Sequence, residues 1–523
     1  MINKTNFLLT NNLGGYFWYN KKSYSRYQGW FLVFQGRMIK IIDSFEGRAE
    51  AIHFPRFSDT LIIENNYYAR TIINFDIRES YQTPQWNRIY TISKKDGIWW
   101  VRCDLEPIVV GIKVQGSAQV IGRWAEKNYS FDKERSSPPF SLWVYQGIEI
   151  KAKRIIIAAG KNEDEVLEEL KRIKDLRFKI EDLRLSAYEL ARESLLSLRV
   201  YNKEQKLLGL FAGLPWFFQF WLRDMAVSAK ALGFFEPEEA KTLLEKHIHL
   251  LGTPCPAYCD LQQKEAHLRS IDGPLWVAFR LKELERYSIF QSYENLEFIT
   301  NNAKETWMDT IPREGARIEH QALKLAILKG NPLEKPFWEK VKTRFFHTGM
   351  LVDGIEVDGR VDWTKRPNVF LAAYVYPDLL SKKDWEAVFD AHLQALWLSW
   401  GGLSTIDQKH PDFHPLHTGE AHFRGEENTP ASYHQGDSWF WINNIAAITM
   451  HRINAKKYAK YIKKIFDASS NDILKKGIPG HASEVSSAGK FEPDGSLSQA
   501  WSAATFIELW QELDGLRNSD SRV

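Results

Sequence analysis

The sequence lacks most of the features that place a chain quickly. It has three cysteines in 523 residues, too few for a disulfide framework. Cys255 and Cys259 are four apart, not the usual zinc spacing, and read as small buried thiols. No apolar run is long enough to span a bilayer, and the opening "MINKTNFLLTNNLGG" has no signal-peptide core. A cytoplasmic protein without membrane contact is therefore expected. Neither charge sign is in useful excess: 69 Lys and Arg face 66 Asp and Glu, a net charge of +3, and the signs are interleaved. That balance gives no basic patch for nucleic acid. No sequence period repeats, which argues against a solenoid built only for interactions.

Aromatic residues are what the chain has in abundance. It carries 20 Trp, 20 Tyr and 31 Phe, 14% of all residues. Large cores use some of these. Sugar sites use them too, because a pyranose ring presents a C–H face that stacks on a π-system. Carbohydrate is thus the ligand class to test against the motifs.

The length exceeds one ordinary core, and two domains are expected. Over residues 1–160 the pattern is β: "WFLVFQGRMIKIID", "TLIIENNYYARTIINFDI", "GIWWVRCDLEPIVVGIKV" and "SLWVYQGIEIKAKRIIIAA" are β-branched and aromatic, with turn residues between them. Many short strands without helices between them predict an antiparallel β-sandwich. Residues 161–183 are charged and amphipathic and read as a linker helix. Over 184–523 apolar spacing predicts twelve helices, beginning near 184, 222, 236, 271, 292, 317, 333, 367, 384, 434, 455 and 499. Twelve helices can pair as six hairpins, the pattern of an (α/α)6 barrel with a pocket built by loops at one end. The longest loop, 401–433, is rich in His, Gly and Pro, and loops of that size seldom persist without a function.

Several phrases at helix starts join aromatics to acids: "FFQFWLRDMAVSAKAL", "SIDGPLWVAF", "ETWMDT", "KRPNVFLAAY", "YHQGDSWFWINN" and "GHASEVSS…SLSQAWSAATF". Glycosidic hydrolysis needs two carboxyl groups, one to protonate the leaving oxygen and one to activate water or to attack. These phrases supply acids and Trp or Tyr walls together.

Taken in order, the phrases resemble the amylo-α-1,6-glucosidase part of glycogen debranching enzymes in their archaeal and bacterial form. "LLTNNLGGYFWYNKKSYSRYQGWFLVF" resembles that family's N-G-L-G-G-Y and R-R-Y-H-G-L-L opening. "GLPWFFQFWLRDM" resembles its Trp and Arg-Asp signature, and "TWMDT…REGARIEHQAL" its T-W-M-D and G-x-x-V-E-I-N-A-L phrases. "YHQGDSWFW" resembles Y-H-x-G-T-V-W-P-W, and "SEVSS…SQAWSAA" resembles an acidic loop followed by Q-A-W-S. The resemblance runs from about residue 8 to about residue 512. It implies a β-sandwich followed by an (α/α)6 barrel, and an inverting exo-glucosidase that removes α-1,6-linked glucose stubs from glycogen or a related branched α-glucan or malto-oligosaccharide. No metal or cofactor is implied, and nothing resembles a separate transferase domain.

Carried over residue by residue, the resemblance makes Asp309 the general acid and Glu484 the general base. Asp309 read alone is an N-cap, and Glu484 read alone is an exposed loop glutamate; Glu492 is the nearest competitor as base. Arg223 and Asp224 would hold the terminal glucose hydroxyls, where composition alone offers a surface ion pair. Trp276, Trp307, Glu319, Arg366, Tyr433, His434, Trp439, Gln499 and Trp501 complete the candidate binding set, each aromatic also being a plausible core residue. His410, His414, His417, His422 and His434 match no usual zinc spacing. The chain departs from the family at Asp437, where Thr is usual, and at Phe440, where Pro is usual; "LRD" replaces the commoner G-R-D. Rival expectations are a glucoamylase- or trehalase-type glucosidase on the same barrel, and a catalytically inactive glycan-binding protein.

Overall fold

The structure is a computed structural model. It describes all residues except 1–5, 23, 48, 85, 135–136, 174–184, 253, 285–292, 303, 419–430 and 518–523. The chain divides into two compact units, Met1–Arg184 with Ser197–Leu208, and Leu185–Leu196 with Gly209–Val523.

The first unit is built on ten strands: β1 Asn6–Thr10, β2 Tyr16–Asn20, β3 Gly29–Phe34, β4 Arg37–Gly47, β5 Ala51–His53, β6 Thr60–Glu79, β7 Tyr90–Lys95, β8 Ile98–Cys103, β9 Glu106–Asn128 and β10 Ser141–Gly160. They were expected as many short strands in a two-sheet sandwich. Instead one antiparallel sheet runs β1-β2-β3-β4-β6-β10-β9-β8-β7, with β5 beside β6. Strands β6, β9 and β10 are 20, 23 and 20 residues long. Register shifts between Gln146 and Ile148 and between Ala152 and Arg154 bend the long pairs. One core then gathers side chains from both halves of the path, among them Phe17, Trp30, Ile42, Phe75, Val101, Val110 and Ile150. The unit also contains a short helix, α1 (Ser130–Glu134), and α2 (Glu163–Ile173). The helix read as a linker is, in its described part, a cover: Val166, Leu170 and Ile173 of α2 bury against Ile62, Trp100, Val109 and Ile156 on the sheet's second face. The spacing of four and then three residues puts those three side chains on one stripe.

The second unit is helical: α3 Ala187–Ser197, α4 Leu222–Gly233, α5 Pro237–Glu245, α6 Asp272–Glu283, α7 Ile318–Leu328, α8 Glu334–Phe345, α9 Asn368–Val375, α10 Lys382–Leu396, α11 Phe440–Lys475 and α12 Ala500–Arg517. Six of these close a ring: α4 packs on α6, α6 on α7, α7 on α9, α9 on α11, α11 on α12, and α12 back on α4. Ring members are buried nearly all round, as α4 and α9 show. Four helices pack on the ring without joining it. They are α3, whose Tyr188 meets Trp510, then α5, α8 and α10.

Two expected helix starts move. The helix expected near 434 begins at Phe440, because residues 431–436 form turns. It continues into the one expected near 455 through a single non-helical residue, Asn454. The helix expected near 292 falls partly on residues outside the description, and Tyr293–Ile299 are not helical. No described helix is long and apolar enough to cross a membrane.

Candidate active site

The motif phrases lie where short two-residue strands feed the ring helices. Phe220–Trp221 pairs with Tyr258–Cys259 and leads into α4, while Ser438–Trp439 pairs with Val485–Ser486 and leads into α11. Gly213–Leu214 pairs with Ser498–Gln499, which leads into α12. Each pairing fixes the first turn of a ring helix, so side chains in those turns are held by backbone on both sides.

Arg223 and Asp224 stand in the first turn of α4 and are 5% and 4% exposed, which excludes a surface ion pair. They do not mainly pair with each other. Arg223 donates Nη1 to both oxygens of Asp272, at 3.2 and 2.9 Å, and its Nη2 lies 3.9 Å from Asp309. Its guanidinium also sits 5.8 Å from the Trp501 ring centre. Asp224 accepts from Gln499 Nε2 at 3.0 Å. Burial pushes the Asp224 carboxyl up to about 7, against the pull of Arg223.

Asp309 caps no helix; it lies in a turn, and the next helix begins at Ile318. Its side chain is 23% exposed, the most accessible of the site acids. Burial raises its carboxyl to about 6, opposed by Arg223 and reinforced by the negative charge of Asp272. Beside it, Thr310 Oγ1 meets His434 Nδ1 at 2.7 Å. His434 stacks on Trp439 at 4.9 Å. Burial and the charges of Arg223, Arg366 and Arg313 hold its ring well below the usual histidine value.

Glu484 is 2% exposed, not a surface loop residue. Tyr433 donates its hydroxyl to Oε1 at 2.6 Å, and the Ser496 amide donates to Oε2 at 2.9 Å. Gly495 makes this approach possible: its φ is +64°, and a Cβ there would lie 2.3 Å from Glu484 Oε2. Burial pushes the carboxyl up to about 8, although both donors favour the ionised form. Glu492, the rival base, is exposed and lies 3.9 Å from Lys490. The negative charges of Glu484, Asp309 and Asp224, after burial, help to raise the Tyr433 hydroxyl well above its usual value.

An aromatic wall joins these groups. Trp307 contacts His434, Trp439 and Trp441 edge-on at 5.4–5.6 Å. Trp501 stacks on Trp441 at 4.5 Å and meets Trp439 at 5.7 Å. Trp439 donates its indole N–H to the Tyr433 carbonyl.

Three candidates have partners of their own, and two of them, Trp276 and Glu319, line a cavity with Asp272 and Trp307. Trp276 packs within the ring against Phe279, Tyr374 and Trp441. Arg366 donates to the carbonyls of Thr405 and His434 and so fixes backbone. Glu319 gives both oxygens to Arg313, which also holds Asp353. Asp353 accepts from Asn368, and Asn368 accepts from the Trp307 indole. Glu319 therefore supports Trp307, and through it Asp309, by way of a buried chain. Arg313→Ala would leave the buried Glu319 carboxylate without its cation, while Asp353 keeps Asn368 and Arg317, and should lower stability by about 3–5 kcal/mol. The urea midpoint reads this; an unchanged midpoint would mean that the chain carries no strain-bearing role.

Two residues of the cluster escaped the sequence reading. Asp272 lies in the quoted "SIDGPLWVAF", and its signal was an acid at the start of an apolar helix, the same as for Asp224. Trp441 lies in "YHQGDSWFWINN" and had no signal beyond its type. His422 lies outside the described residues, and among the described ones no group of three His, Cys, Asp or Glu could hold a metal ion.

Residues 285–508 match the family model for amylo-alpha-1,6-glucosidase, GDE_C. No curated protein matches the sequence. Among solved structures, a bacterial glucoamylase complexed with acarbose superposes with a TM-score of 0.62 at 10% identity, over 98% of this chain and 94% of the glucoamylase. The GH63 mannosylglycerate hydrolase of Thermus thermophilus, in complex with glucose, gives a TM-score of 0.46 at 12% identity, over 62% of this chain and 100% of that one. At such identity the glucoamylase match speaks for the fold.

Proposed function

We propose that this chain is an inverting exo-acting α-glucosidase on an (α/α)6 barrel, cleaving α-1,6-linked glucose stubs of a branched α-glucan. The family match supports glycoside hydrolase activity. The observation that carries the mechanism is the contrast between two carboxyls of one cluster: Asp309, partly exposed beside Arg223, and Glu484, buried with both oxygens held by donors.

In this reading Asp309 gives its proton to the glycosidic oxygen as the bond to the anomeric carbon breaks. Glu484 takes a proton from water, whose oxygen bonds to the anomeric carbon from the opposite face. Glucose leaves as the β-anomer, Asp309 is left ionised and Glu484 protonated, and solvent restores both. Asp224 and Arg223 bind the hydroxyls of the terminal glucose. Trp307, Trp439 and Trp501 shield the site and stack on the ring.

Accepting two hydrogen bonds is the pattern of an ionised carboxylate, which suits Glu484 to the base role. In the free protein, however, the shared proton rests mainly on Glu484, since its carboxyl lies near 8 and that of Asp309 near 6. A bell-shaped profile with limbs at about 6 and 8 is expected for the pair on glucan, whichever carboxyl holds the proton.

The test is glucose release from isomaltose, panose, maltose, trehalose and phosphorylase-limit dextrin, measured side by side. Preference for panose and the limit dextrin supports the reading. Preference for maltose or trehalose would move the linkage, and no glucose from any of them would remove the activity.

A further inference from the structure

The long His-rich loop places a histidine behind the proposed base. His417 Nδ1 lies 2.5 Å from Asp437 Oδ2, and both side chains are fully buried. On the other edge of the ring, His417 Nε2 lies 4.0 Å from Asp494 Oδ1. The arrangement is built: Ser432 donates its hydroxyl to the same Asp437 oxygen at 3.0 Å, the Asp437 amide donates to the Ser432 carbonyl, and the His417 amide donates to Ser487 Oγ at 2.9 Å. The His417 ring centre is 6.2 Å from that of Tyr433, the residue whose hydroxyl bonds Glu484. A histidine with a carboxylate at each ring nitrogen is favoured as the imidazolium.

We infer that His417 is held as an imidazolium between Asp437 and Asp494 and acts as a positioning residue whose charge favours the ionised, base form of Glu484. The inference rests on the reading of Glu484 given above. Glu484 faces burial, which raises its carboxyl, the Tyr433 and Ser496 donors, which lower it, the Asp224 charge, which raises it, and the His417 charge, which lowers it. Without His417 the balance shifts further toward the protonated, inactive form.

α-Glucosyl fluoride isolates this effect, because fluoride leaves without a proton from Asp309. The kcat/KM for fluoride should follow the ionised fraction of Glu484 alone, rising with pH through a midpoint of about 8. In His417→Gln and in Asp437→Asn the midpoint should move upward by about one pH unit. A purely structural role would lower the rate and leave the midpoint in place, and that result in either folded variant overturns the inference. The unmutated protein supplies a check that needs no variant to fold. The 15N shifts of the ring hydrogen-bonded to Asp437 should show both nitrogens protonated at pH 7, and a neutral ring there overturns the inference. Full activity of Glu484→Gln would instead remove Glu484 as the base, so the two failures are distinguishable.

Discussion

Asp309→Asn should lower turnover of glucan on the order of a thousandfold, the usual reach of a general acid working beside other site groups. Asparagine keeps the size of the side chain and its place 3.9 Å from Arg223, so the loss reports the proton rather than the shape. The sugar leaving group is a poor one and needs that proton. Fluoride does not, and its release should suffer far less. The pH profile adds a second signature. The pair holds its one proton between about 6 and about 8, so acid-assisted turnover of glucan falls as the pH rises through the upper limb, and the asparagine variant should lose that fall. Equal losses on both substrates would place Asp309 in binding or folding instead.

Glu484→Gln should abolish turnover of glucan and of glucosyl fluoride alike, by a factor between about a hundred and ten thousand. Water must be deprotonated whatever group departs. Glutamine can still accept from Tyr433 or Ser496 with its one carbonyl oxygen, so the loop should keep its course. Azide added to the variant should restore turnover of the fluoride, because an anion needs no base, and its product should be the β-glucosyl azide. Comparing midpoints decides between the two carboxyls. On fluoride the rate should rise through about 8 if Glu484 is the base, and through about 6 if Asp309 is. The lower midpoint would exchange the two roles.

The sequence revealed the class of each unit and the phrases that meet at the site. Strands β6, β9 and β10 were legible because β-branched residues crowd them. That they pair into one sheet was not, because pairing depends on partners distant along the chain, such as Lys151 opposite Arg70. The ring helices were legible as apolar runs. Single side chains were harder. Asp309, Arg223 and Asp224 could be nominated from the phrases around them, as could Glu319, Arg366 and Trp276, but the partners of the last three, namely Arg313, backbone carbonyls and the rings of Phe279, Tyr374 and Trp441, could not. Sequence gives the type of a residue and not its partner. Asp272 shows the converse: the acid that holds Arg223 lies in a phrase already quoted, and only the hydrogen bonds separate it from a helix-start aspartate.

The central claim is that a carboxyl at Asp309 and a carboxyl at Glu484 drive water onto the anomeric carbon opposite the leaving group. Proton NMR of the first glucose released from panose, recorded before mutarotation mixes the anomers, tests it most directly. β-Glucose as the initial product agrees with the account. Initial α-glucose would contradict it, since retention requires a covalent intermediate on one of the two carboxyls.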